Sequence, residues 1–158
     1  MDYSTNLMSE TVVPVDLEVD WDQNVPAAVL VSNDDGLTVL AVHASDADAD
    51  PRTVVFTWHG TRFASMGSPN DEALSGHRLF EKGMSRIRRL GKVENSELIA
   101  TLARETSVHP QHDPARFAEL THHVLPLKEC TVEVVASRVT ITRLPGSTLE
   151  AAALALAP

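Results

Sequence analysis

Between Trp58 and Met84 the chain reads "WHGTRFASMGSPNDEALSGHRLFEKGM". Asn70, Asp71, Glu72 and His77 stand here among Gly60, Gly67, Gly76 and Gly83, four of the chain's seven glycines. A histidine near carboxylates is the usual equipment for proton transfer, because a carboxylate holds the ring in one tautomer. The five-residue gap from Glu72 to His77, across Gly76, allows a loop to fold back on itself. The expected site therefore has His77 as proton-transfer residue, Asp71 or Glu72 orienting it, and Asn70 positioning a ligand. Arg78 or Arg62 would hold an anionic group. The structural alternative is that Asp71 caps a turn of "DEALSG" and His77 bonds a backbone carbonyl.

A second cluster follows in "SVHPQHDP". His109 and His112, with His122 and His123, put four histidines within fifteen residues. Neutral imidazole is a common metal ligand. Yet Pro110 and Pro114 interrupt any helix, and adjacent residues of a strand point to opposite faces. No H-E-x-x-H motif or cysteine pair accompanies them. The expectation is no metal and no cofactor, with His109 and His112 forming the wall opposite His77. Arg78, Lys82, Arg86 and Arg89 make a basic stripe at helical spacing. It suits an anionic ligand, a solvated face, or docking on the acidic residues 16–22 within the chain or across a dimer. Cys130 has no activating neighbour in sequence and reads as a structural thiol.

The elements that must position these groups follow from periodicity. Val13, Val15, Leu17, Val19 and Trp21 alternate with acidic residues, as in a strand with one wet face. "AAVLVS" and "LTVLAVHA" flank "NDDG", a hairpin signal. "TVVFTW" and "TRFASM" flank His59-Gly60, which reads as a second hairpin. Phe80, Met84, Ile87 and Leu90 recur at helical spacing, although Gly83 weakens that helix. Asn95 is an N-cap candidate for "SELIATLARE", and Asp113 followed by Pro114 starts a short helix. "HHVLPL", "TVEVVA" and "VTITRL" are strands, the last two joined at Ser137-Arg138. Ser147 and Glu150 form a capping box for a C-terminal helix. The order predicts an α+β fold with a mainly antiparallel sheet, curled into a partial barrel or a sandwich, with a helical middle.

The 158 residues suit a single domain with a polar leader over residues 1–10. Residues 1–50 hold eleven Asp or Glu and no Lys or Arg, and the whole chain carries a formal charge of −9. That sign argues against nucleic-acid binding. No apolar run approaches a membrane span, no secretory signal is visible, and one cysteine fits a reducing cytoplasm.

The runs "SPNDEALSGHRLFEKGM", "ENSELIATLARE", "VHPQHDPARF" and "HHVLPLKECTVEVVA" resemble a family of small uncharacterised bacterial proteins, over about residues 54–136. The resemblance implies that the four blocks gather around one cleft, and it carries no activity. The leading expectation is a cytoplasmic bacterial protein binding a small polar or anionic molecule, with acid–base chemistry of the lyase, isomerase, cyclase or hydrolase type. The alternative is a non-catalytic interaction protein whose helical middle is a docking surface.

Overall fold

The computed structural model describes residues 8–158, and the first seven residues of the expected leader lie outside the described ones. The described residues form two antiparallel sheets. One has five strands in the order β1 (Thr11–Pro14), β6 (Gly91–Glu94), β7 (Thr121–Pro126), β8 (Thr131–Ala136), β5 (Phe63–Gly67). The other has four, in the order β2 (Val29–Ser32), β3 (Leu37–Val42), β4 (Thr53–His59), β9 (Arg138–Leu144). The described residues also form three α-helices: α1 (Glu97–Glu105), α2 (Pro114–Ala118) and α3 (Thr148–Leu156). The fold is α+β, as expected.

The main core lies between the sheets. Leu40, Val42, Val54, Phe56 and Trp58 of the four-stranded sheet meet Leu125, Val132, Val134 and Ala136 of the five-stranded one. Phe56 stacks on Trp58 and takes the edge of Trp21. On the outer face of the four-stranded sheet, Ala151 and Ala152 of α3 cover Val39, Ala41 and Val55. The capping box of α3 forms as expected, with Ser147 and Glu150 bonding each other's backbone N–H. On the outer face of the five-stranded sheet, Leu79, Met84 and Ile87 cover Val12, Val93 and Val124.

The "NDDG" hairpin forms between β2 and β3, with Gly36 at φ +84°. The turn at His59-Gly60 is a different object from the expected hairpin. β4 and β5 belong to different sheets, and so do β8 and β9. The segments 53–67 and 131–144 form one long two-stranded ribbon that bends from sheet to sheet. His59 pairs with Arg138 and Phe63 with Val135, so three residues on one strand face two on the other. That extra residue is a β-bulge, which bends and twists its strand. Gly60 sits in it at φ +65°, where a Cβ would lie 2.5 Å from Ser137 Oγ. A strand feeding a tight glycine turn looks the same in sequence whether it returns to its own sheet or crosses to another.

Two further expectations are corrected. Residues 15–20 alternate between half-buried and exposed as read, but only residues 11–14 pair as a strand. Trp21 rejoins through one isolated bridge to Ala44. The helix expected over Phe80–Leu90 is replaced by turns around a single 3-10 turn, Met84–Arg86. Gly83 stands at φ +118°, and a Cβ there would lie 2.4 Å from the Val12 carbonyl oxygen. Lys82 O accepts from Val12 N at 2.8 Å. Close docking of this segment on β1 therefore overrides its helical periodicity.

Candidate functional site

"TVEVVA" places Glu133 in a strand whose six residues are all buried. On β8, Val132 and Val134 face the core between the sheets, so Glu133 must face the outer side. His122 of β7 lies on the same face, since β7 and β8 pair with Val124 opposite Glu133. The neighbouring His123 faces the core, where its Nδ1 accepts from Trp58 Nε1 at 3.0 Å. The two histidines thus divide between faces, as expected of a strand.

Glu133 is the hub of the outer face. Arg78 donates to its two oxygens from Nη1 and Nη2, at 2.6 and 2.7 Å. His77 Nε2 lies 3.2 Å from Oε1, and His122 Nε2 lies 2.7 Å from Oε2. Burial raises the carboxyl's pKa, but the bonds from Arg78 and His122 and their charge outweigh it and hold Glu133 far below the usual carboxylate range. It is therefore a permanent anion at neutral pH and acts by orienting its partners. Arg78, about half exposed, spends its bidentate fork on this carboxylate.

Both nitrogens of His77 are engaged. Leu79 N donates to Nδ1 at 3.1 Å, so the ring proton sits on Nε2 and points at Glu133. His77 is thus an organising residue that ties the 77–90 segment to the sheet. It does not meet its expected partners. Asp71 is paired with Lys128 at 2.9 Å, Glu72 is exposed, and Asn70 caps the Asp71–Gly76 turn by accepting from Ala73 N. A local pairing was expected from sequence proximity, but the turn carries Asp71 and Glu72 outward while His77 turns inward. His77→Ala is expected to lower folding stability by roughly 1–3 kcal/mol. Chemical denaturation reads this, and an unchanged midpoint would remove the organising role.

The remaining expected residues lie apart. Arg62 is exposed at the bulge. His109 is exposed and accepts from Gln111 N, while His112 packs on Phe117 with ring centroids 5.5 Å apart. Neither bonds His77. Of the basic stripe, Lys82 pairs with Glu10 at 2.8 Å and Arg89 with Asp20, so part of it docks on acidic residues of the same chain. Glu10, read as leader, is buried and also accepts from Glu97 N at 2.7 Å. Among the described residues no group of three His, Cys, Asp or Glu side chains is placed to hold a metal. Burial and the charge of Glu129 push the Cys130 thiol up, away from a reactive thiolate.

Ser96 and its link to His122 were not foreseen. Asn95, at φ +53°, ends β6 and delivers Ser96 as the true N-cap of α1, accepting from Ile99 N at 3.1 Å. Ser96 Oγ also lies 2.7 Å from His122 Nδ1. In the tautomer whose Nε2 proton is directed at the Glu133 anion, Nδ1 is an acceptor for the Ser96 hydroxyl proton. Ser96, His122 and Glu133 are therefore a hydroxyl–imidazole–carboxylate chain. Ser96 lines a cleft of about 910 Å³ between β6, α1, α2 and the segment Met8–Glu10. Two signals stood in the sequence: a lone Glu inside an apolar strand, and a Ser directly before "ELIATL".

These features define an α+β protein with two antiparallel sheets and a buried polar chain beside a surface cleft. Comparison with family models, with curated proteins and with solved structures gives no match to this chain.

Proposed function

We propose that the protein binds a small molecule in the cleft beside Ser96 and transfers or hydrolyses its acyl group. The observation that carries this reading is the pair of 2.7 Å contacts running from Ser96 Oγ through His122 to Glu133. Nucleophilic serine needs a base within hydrogen-bond reach and a third group orienting that base. Here Ser96 Oγ attacks the acyl carbon and its proton passes to His122 Nδ1. The leaving alcohol takes that proton as its C–O bond breaks, and water then releases the acyl group by the reverse route. Glu133 stays anionic throughout and stabilises the imidazolium. Compared with the serine-protease arrangement, the two ring nitrogens have exchanged partners. This keeps the expected acid–base chemistry and moves it from His77 to His122. Bacterial origin and cytoplasmic location belong to the same proposal. No helix among the described residues is long and apolar enough to cross a membrane.

One observation favours a second, non-catalytic reading. The first-turn donors of α1 are met internally: Glu97 N by Glu10 and Ile99 N by Ser96. Under this reading the polar chain clasps α1 to the sheet, and half-exposed Leu98, Ile99 and Leu102 of α1 form a docking face. The two readings separate on Ser96→Ala. A nucleophile predicts labelling of Ser96 by a fluorophosphonate, and a fall in ester turnover on the order of 10⁴–10⁶-fold. A clasp predicts an unlabelled parent and a stability loss of roughly 0.5–2 kcal/mol from the missing cap.

A further inference from the structure

The lining of the cleft beside Ser96 is chemically one-sided. Its walls are apolar, formed by Val93, Ile99, Ala100 and Ala103 with Phe117 and Leu120 of the α2 region. Its charged lining residues are Glu10, Glu94 and Glu97 against Lys92. It contains no arginine. Arg78, the side chain best suited to a substrate carboxylate, is engaged with Glu133 on the other side of α1. Lys82, outside the lining, pairs with Glu10 and Glu97. With Lys82 counted beside its partners, three carboxylates still stand against two cations around the cleft, in a chain whose formal charge is already −9. About 910 Å³ is ample for a small molecule.

We infer that the cleft accepts uncharged or amine-bearing acyl compounds with a compact apolar acyl chain and rejects those whose acyl chain ends in a carboxylate. This revises the expectation of an anionic ligand. The chemistry rests on the acyl-transfer reading, whereas the selectivity rests on the lining alone.

The test separates the two. Binding is read on the parent protein with a pair of stable amides, N-methylbutyramide and N-methylsuccinamate, by methyl and aromatic NMR shifts at Val93, Ile99 and Phe117. The neutral amide is expected to move these signals, and the anionic one to need at least about tenfold higher concentration. Equal effects, or no effect from either, would overturn the inference. Turnover is read with p-nitrophenyl butyrate and p-nitrophenyl hydrogen succinate. A kcat/KM preference of about tenfold or more for the butyrate is expected, falling in the double variant Glu94→Lys, Glu97→Lys. Turnover of both esters at equal rates would sink the selectivity and leave the nucleophile standing. Discrimination between the amides without turnover of either ester would support the selectivity and remove the nucleophile.

Discussion

Glu133→Ala is expected to cost about 3–5 kcal/mol of folding stability, the largest effect of any single polar substitution in this protein. Four hydrogen bonds converge on this carboxylate, two from Arg78 and one each from His77 and His122. Alanine leaves the donors of both histidines facing an apolar sheet, with side-chain exposures of 7% and 0%. A buried donor without a partner costs its full desolvation. Arg78 limits the damage, because at 49% exposure its guanidinium can turn to water. The lower end of the range is therefore expected. Urea unfolding of parent and variant measures the difference. A loss below about 1 kcal/mol would mean that the hub does not hold the outer face together.

Stability is also expected to fall by roughly 2–3 kcal/mol as the pH drops from 6.5 to 4.5, through His123. Burial depresses its pKa to about 4, helped by the nearby charges of His122 and Lys92. Its Nδ1 accepts from Trp58 and so must be unprotonated in the folded protein. The unfolded chain takes up a proton near pH 6.5, while the folded one resists until about pH 4. The unfolded state binds more protons across that window, so stability is complete above it and is lost as the pH falls. Glu133 acts in the same direction but later. Its stabilisation is present above the ordinary carboxylate range and is lost only below about pH 4.5. Most of the loss that Glu133 adds therefore falls below the interval in which His123 acts. His123→Gln, which keeps an acceptor for Trp58, should flatten the pH dependence there. A parent protein equally stable at both ends would disprove the assignment.

Local signals account for much of the fold. Asn33 to Gly36 specifies a hairpin because the turn needs a left-handed glycine and an Asn side chain that bonds the backbone, here Asn33 Oδ1 accepting from Leu37 N. Asp113 and Ser147 cap their helices because their oxygens reach first-turn N–H groups a few residues on. The alternation from Val15 to Trp21 correctly separates the inward from the outward side chains, since period-two patterning records burial. It does not record pairing, and most of that stretch has no ladder partner. The class of groups available for chemistry was equally plain in the sequence: histidines, carboxylates and arginines between Arg62 and His123.

Which of those groups meet was decided only by the tertiary structure. His77 lies beside two carboxylates in sequence, yet its partner Glu133 is 56 positions away. Ser96 reaches His122 across 26 positions. Both contacts depend on β7 pairing with β8 in a register that puts His122 and Glu133 on one face, and on β6 delivering Ser96 above them. The bulge at Gly60 and the approach of Gly83 to β1 are likewise settled by long-range contacts. A local pattern states what a residue can do with its near neighbours and which face it turns inward. The register between distant strands selects its chemical partner, because shifting a strand by one residue would exchange its two faces and carry Glu133 into the core.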